Sequence, residues 1–323
     1  MRPATLFALA LLGTMASSGG AAERRDLRAA ESYGRNYPTV RALEHFAELI
    51  EDRTDGRLRL QVFHSRQLGE EKQTLEQTRL GAIDLNRINV AALADVSPEA
   101  RALTLPYLFR SDEHLAKVLG GPIGQEVLDS LEGHGLVGLA FFRTGARSIY
   151  GVRPVRRPAD LAGVRVRVQP SETMGAVMRA LGAEPVPLAE GQVATGLETG
   201  LIHGAESNWP TYVSSGHHQA APYFSATAHT MSPEVLVVSK QLWDRLSPED
   251  RRAFREAAQE TSIAMWERWL YWEESLRNAA GQLGITVVTD VDREALQAAV
   301  GPVWEEALRH PRVRDLAERI GRE

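Results

Sequence analysis

The chain contains no cysteine, which removes disulfides, thiolate metal sites and cysteine nucleophiles at once. It has no run of Lys and Arg, and its formal charge is -5, so nothing argues for a nucleic-acid surface. Beyond the N-terminus no stretch approaches the roughly 20 uninterrupted apolar residues that a membrane-spanning helix needs. Gly-x-Ser-x-Gly elbows, Gly-rich phosphate loops and His-Glu-x-x-His pairs are all missing. So are internal repeats, low-complexity tracts and Pro/Ser-rich linkers. Among the nine histidines only His217 and His218 are adjacent, and neighbours on a helix diverge by about 100°. No metal, cofactor or catalytic residue is therefore expected. His203 and His229 lie beside strand-like segments, where they can line a cleft.

What is present describes a globular protein of two lobes. Its 323 residues are too many for one ordinary core, and the 43% hydrophobic and 24% charged content is that of a soluble domain. The first residues form a three-part secretory signal. Arg2 precedes the apolar run Leu6–Leu12, and the small residues Ala16–Ala22 end in a Gly20-x-Ala22 cleavage pattern. Residues 1–22 are thus expected to be removed on export, leaving a soluble periplasmic protein.

Short apolar strands alternate with amphipathic helices through the rest of the chain. Leu58–Phe63 alternates with period two, and Val40, Leu43, Phe46 and Ile50 mark the stripe of a helix over 38–50. Another helix is expected over 70–80. Leu136–Phe142 is a continuous apolar run, as a buried parallel strand would be. Val164–Val168 alternates strictly, a helix follows from Pro170 to Leu181, and Glu234–Ser239 is another strand. This βα alternation indicates α/β lobes. Ser247-Pro248-Glu249-Asp250 combines a cap with a first-turn proline, and no Pro or Gly interrupts the chain from Glu249 to Ala280. Such a helix is roughly 45–50 Å long, which suits two lobes side by side rather than one. Short helices over 293–300, 302–309 and 313–320 close the chain.

The arginines carry the strongest chemical signal. Arg165 and Arg167 are two apart on one strand and share a face. Arg147 follows Gly145 just after the long apolar strand, where open α/β sheets place their ligands. A guanidinium is the best fork for a carboxylate because it offers two parallel donors and never deprotonates.

Several segments together resemble the dicarboxylate-binding (DctP) proteins of TRAP (tripartite ATP-independent periplasmic) transporters. They are Gln67–Lys72, Leu80–Asp84, Leu105–Arg110, Arg165–Ser171, Gly182–Pro187, Leu197–Asn208, Pro233–Lys240 and Trp243–Asp250, and they cover nearly the whole mature chain in order. The resemblance implies a two-lobed, type II-like clamshell with a long helix spanning both lobes. Residues 23–144 with 233–272 would form the first lobe and 145–232 with 273–323 the second. It puts the carboxylate clamp on Arg167, a second ligand arginine on Arg147 and an acid on Glu71. The family's asparagine falls where Glu206-Ser207-Asn208 carries serine, so the polar contact goes to Ser207 or to Asn208.

Arg87–Ala91, Ser148–Tyr150, Asn208–Tyr212 and His229–Glu234 resemble members that bind hexuronic acids such as glucuronate or galacturonate. That resemblance makes Arg87, Asn89 and Glu71 hydroxyl partners, Trp209 an aromatic wall and His229 a cleft residue. It implies hinge closure around one carboxylate, a membrane permease of other chains as partner, a monomer, and no enzyme activity. A C4-dicarboxylate or another organic acid is the alternative ligand. A secreted enzyme using Glu71 and Glu206, or a sensor presenting the same ligand to a receptor, are the rival classes.

Overall fold

The computed structural model describes residues 24–323; the expected signal segment lies outside them. Eleven strands are present among the described residues: β1 (Arg25–Ala30), β2 (Leu58–Phe63), β3 (Leu85–Asn89), β4 (Leu136–Phe142), β5 (Ala146–Gly151), β6 (Arg165–Val168), β7 (Glu184–Pro187), β8 (Gly204–Asn208), β9 (Tyr223–Met231), β10 (Glu234–Ser239) and β11 (Thr286–Val288). They form two sheets, ordered β2-β1-β3-β10-β4 and β11-β9-β5-β8-β6-β7. The first three strands of the first sheet are parallel, and β10 runs antiparallel to both of its neighbours.

The helix Pro38–Arg53 makes the crossover between parallel β1 and β2. Its stripe of Val40, Leu43, Phe46 and Ile50 is fully buried, as the periodicity requires. Each such side chain contributes roughly 1.5–3 kcal/mol by leaving water. All seven residues of β4 are buried. Its Gly138 lets the helix Pro122–Ser130 come close, because a Cβ there would lie 2.8 Å from the Leu128 side chain.

The chain passes between the sheets along two strand-to-strand crossings. Residues 143–145 lead from β4 to β5, and Ser232–Pro233 lead from β9 back to β10. A third connection is the 31-residue helix Pro248–Asn278, about 46 Å long by its rise per residue. Ser247 caps it, its hydroxyl oxygen accepting a hydrogen bond from the Asp250 amide at 3.0 Å. It packs on the Pro38–Arg53 helix and β4 of the first lobe and on the helix Trp209–Ser214 of the second. At the first crossing Gly145 has φ +69°, and a Cβ would sit 3.2 Å from Glu273 of this long helix. Only glycine takes that conformation at so close an approach without strain.

One boundary differs from the sequence reading, which gave all of 273–323 to the second lobe. The helix Pro311–Arg322 returns to the first. Its apolar stripe of Val313, Leu316, Ala317 and Ile320 joins the core that holds Leu103, Val127 and Val235. Arg312 donates to Glu99 at 2.9 Å and Arg319 to Glu126 at 2.7 Å, both acids on first-lobe helices. An amphipathic terminal helix goes where an apolar face awaits it, and here that face belongs to the first lobe.

Candidate functional site

The lobes meet around a small cavity of about 70 Å³, lined by Tyr33, Glu71 and Arg87 from the first lobe and by Arg167, Gln169 and Glu190 from the second, among others. That volume is equivalent to about two waters. An open groove of about 1300 Å³ lies beside it and shares Lys72 and Pro170 with it. The groove is larger, but the buried arginines line the cavity. Across the cleft Tyr37 Oη and Thr211 Oγ1 are 2.7 Å apart, and Gly191 approaches Arg66 and Glu70 so closely that a Cβ would stand 2.6 Å from Glu70 Oε1.

Arg167 is the third residue of β6. Val166 and Val168 bury themselves against the second lobe's helices, so alternation sends Arg167 to the other face. Its guanidinium is 3% exposed; Nε donates to the Leu188 carbonyl at 2.9 Å, and Nη1 lies 3.2 Å from Glu190 Oε2. Neither Arg167 Nη1 nor Glu190 Oε1 has a hydrogen-bond partner, although both atoms are buried. Unpaired buried donors and acceptors are costly, and such atoms point to a ligand position. Burial alone would raise the Glu190 pKa. The Arg167 charge, with His217 and Arg147 behind it, outweighs burial and holds the carboxyl below its ordinary value.

Arg147, on β5, is occupied by one residue. Nε donates to Glu206 Oε2 at 2.6 Å and Nη2 to the Glu206 carbonyl at 2.8 Å. Burial would raise the Glu206 pKa, but Arg147 and His229 hold it at about 2. His229 sits in an irregularity where the β5–β9 register slips between Arg147 and Ile149. Its Nδ1 shares a 2.9 Å hydrogen bond with Thr227 Oγ1, and its Nε2 lies 3.8 Å from Glu206. Neither Arg147 nor His229 lines the cavity.

Arg87 lines the cavity but is only 1% exposed, and it is surrounded by acids. It pairs with Glu31 through Nε and Nη2, donates from Nη1 to Glu71 at 2.8 Å, and has Glu234 Oε2 3.1 Å from Nε. The sequence reading made Arg87 a partner for ligand hydroxyls; its donors are already taken by these carboxylates. Three acids around one cation cannot all stay ionised in a buried site. Burial, and then Glu31 and Glu71 working against Arg87, push Glu234 up to about 8. The sign follows from linkage. An acid whose folded pKa exceeds its unfolded value stabilises the fold fully below about 4.5 and loses that contribution as pH rises toward 8. Glu234→Gln is therefore expected to be more stable than the parent at pH 8 and to lose that advantage at pH 5. Melting curves at the two pH values check this; an equal difference at both would sink it.

The remaining expected residues fall in three kinds of place. Glu71 lines the cavity, but its Oε1 accepts from Arg87 and from the Asn89 amide at 3.1 Å. Asn89 and Asn208 are helix caps: Asn89 Oδ1 accepts from the Ala91 amide at 2.9 Å, and Asn208 Oδ1 from the Thr211 amide at 2.9 Å. Asn89 also bonds Ser232 at both ends of its amide. Ser207 is buried on β8 opposite Ser148. Trp209, the expected wall, is 1% exposed and packs in the second lobe's core against Phe224, with ring centroids 4.9 Å apart. Its other face carries Arg277, 5.4 Å from the ring centroid. The aromatic side chain on the cavity is Tyr33, stacked 3.9 Å from Tyr37 and facing the Arg87 guanidinium at 4.7 Å. Glu31, Glu190, Glu234 and Tyr33 were not foreseen as site residues. No group of three or more potential metal ligands occurs among the described residues.

Two α/β lobes, two strand crossings, a spanning helix and an arginine-lined cavity between the lobes define a solute-binding protein. The chain belongs to the DctP family, bacterial extracellular solute-binding protein family 7, whose model matches residues 29–310. It is similar to a TRAP periplasmic solute-binding protein from Xanthobacter autotrophicus Py2 with bound β-D-galacturonate, at 41% identity and TM-score 0.89 over 91% of this chain and 99% of that one. A second such protein, from Roseobacter denitrificans with bound β-D-glucuronate, is 33% identical with TM-score 0.90, covering 92% and 99% of the two chains. A curated solute-binding protein of Chromohalobacter salexigens is 36% identical over 88% of this chain and 85% of its own length. No helix among the described residues is long and apolar enough to cross a membrane.

Proposed function

We propose that this protein captures a hexuronate, glucuronate or galacturonate, in the periplasm and delivers it to a TRAP permease made of other chains. It acts as a monomeric carrier and not as an enzyme. Export by the signal segment 1–22 puts it in that compartment. The observation that carries the ligand reading is the buried Arg167 guanidinium on the inter-lobe cavity, whose Nη1 lacks a hydrogen-bonded partner. A single carboxylate completes it.

Charge balance argues for only one carboxylate. Arg87, Arg147 and Arg167 face the buried or half-buried acids Glu31, Glu71, Glu190, Glu206 and Glu234, so the site has no surplus cation for a second. The remaining ligand groups would be hydroxyls, which suit acceptors such as the Glu71 and Glu190 carboxylates. The cavity of about 70 Å³ is smaller than a sugar, so entry requires the lobes to part and close again by hinge motion at the two crossings.

Thermal melts test this. Galacturonate or glucuronate at about a thousand times its dissociation constant adds roughly 4 kcal/mol to stability, a rise in Tm of very roughly 8–15 °C for a chain of this size. The neutral parent sugars should give almost no shift, because they leave the guanidinium unpaired. A shift with succinate or malate and none with uronates would replace the ligand class.

A further inference from the structure

Glu190 is the acid closest to the clamp. It lies in the short turn Glu190–Gln192 after β7, and nothing in the family match assigns it a role. Four features define its surroundings. Arg167 Nη1 is 3.2 Å from one carboxylate oxygen, and His217 Nε2 is 4.0 Å from the other. His217 is held in place by Tyr150, whose Oη is 2.7 Å from its Nδ1, and burial lowers its pKa. The first lobe contributes Arg66 and Glu70, which meet the adjacent Gly191 across the cleft. Both Glu190 and Arg167 line the cavity.

The unsatisfied atoms make the pattern specific. Arg167 Nη1 is a buried donor without a bonded acceptor, and Glu190 Oε1 is a buried acceptor without a donor. The two side chains stand next to each other. A ligand that satisfies both must bring an acceptor and a donor a few ångströms apart, which is what a pyranose uronate provides with its C6 carboxylate and the hydroxyl on C4. A second carboxylate at the same place would satisfy the arginine again but set two anions against each other.

We propose that Glu190 is a specificity-determining residue: it accepts a hydrogen bond from the ligand hydroxyl nearest the carboxylate held by Arg167, and its charge rejects a second ligand carboxylate. This takes over the role that the sequence assigned to Glu71, whose Oε1 is engaged by Arg87 and Asn89. The inference rests on the hexuronate reading but names the residue that discriminates within it.

The test is calorimetry of the full mature chain with galacturonate and with galactarate, its dicarboxylic counterpart. The parent should bind galacturonate and bind galactarate weakly. Glu190→Ala should weaken galacturonate roughly 10–100-fold, the range for losing a hydrogen bond to a charged group. Glu190→Gln keeps an acceptor oxygen and removes the charge. It should cost galacturonate less than the alanine does and shift the preference toward galactarate by about tenfold or more, since like charges at close quarters are strongly unfavourable. Using the ratio of the two affinities cancels any general gain in anion binding from a less neutralised Arg167, and a melting curve of each variant certifies the fold. An unchanged ratio in Glu190→Gln, or galacturonate binding untouched in Glu190→Ala, overturns the proposal. If the parent binds no uronate, the hexuronate reading falls by itself. Glu190 is then judged on the dicarboxylates alone: Glu190→Gln gaining galactarate or malate supports it, and no gain overturns it.

Discussion

Arg167→Lys is expected to raise the dissociation constant for galacturonate roughly 30–1,000-fold, the equivalent of about 2–4 kcal/mol. The lysine keeps the positive charge, so a loss of this size would come from geometry. Arg167 holds its position by giving Nε to the Leu188 carbonyl at 2.9 Å, which leaves the outer edge of the planar group for the cavity. An ammonium has no second arm. It would have to choose between Leu188, Glu190 and the ligand, and its compact charge is more strongly hydrated than a guanidinium. Arg165→Lys is the matched control, two residues away on the same strand. Arg165 donates to the carbonyls of Leu201 and Gly200 at the surface and ties down a turn, so its replacement should move affinity less than threefold by the usual small worth of exposed polar contacts. Titration calorimetry on both variants decides the matter. Equal losses, or no loss in Arg167→Lys, would remove Arg167 from the clamp.

The reach of the sequence ended where partners lie far apart in the chain. Strands and helices were legible because their signals are periodic. The stripe Val40–Ile50 and the capped, uninterrupted run after Ser247 each became the element they indicated, whereas the all-apolar β4 is a buried strand but pairs antiparallel with β10 and not parallel as expected. Arg167 was legible because strand alternation and a recognisable segment coincide there. Its buried counter-ion Glu190 was not, since the pair is brought together by the turn after β7 and no local pattern announces it. The same holds for Glu31, which meets Arg87 across a separation of 56 residues, and for Glu234 on an antiparallel neighbour strand. Trp209 shows the opposite error. A tryptophan beside a ligand segment reads as a wall, but its helix turns it into the core of the second lobe, and Tyr33, from a loop with no periodic signal, lines the cavity. Asn89 and Asn208 were singled out for polar ligand contacts and serve in the structure as helix caps, a role that the same residue type supplies equally well.

Arg87→Met should destabilise the protein by about 3–5 kcal/mol, the scale for removing one partner from a buried ion cluster. Methionine nearly fills the volume, so little of the loss would be a cavity. The loss would come from Glu31, Glu71 and Glu234, left facing one another with no cation between them. Glu31 retains the Thr39 hydroxyl at 2.8 Å and the Tyr33 amide at 3.0 Å. Glu234 has no such help: its Oε2 is buried without a hydrogen-bond partner even when Arg87 is present. The cheapest response is for Glu234 to take up a proton, which raises its folded pKa further above the unfolded one. Stability that depends on such protons is complete below about pH 4.5 and drains away as pH rises. The deficit of Arg87→Met against the parent should therefore be small near pH 5 and largest at pH 8, where Tm should fall by about 10 °C by the usual scaling. Adding Glu234→Gln to Arg87→Met should recover part of the alkaline loss, because one of the unpaired acids is then permanently neutral. Melting curves of the single and double variants at the two pH values check this. A deficit that is the same at both, or a double variant no more stable than the single at pH 8, would mean that Arg87 is held by packing and not by its acids.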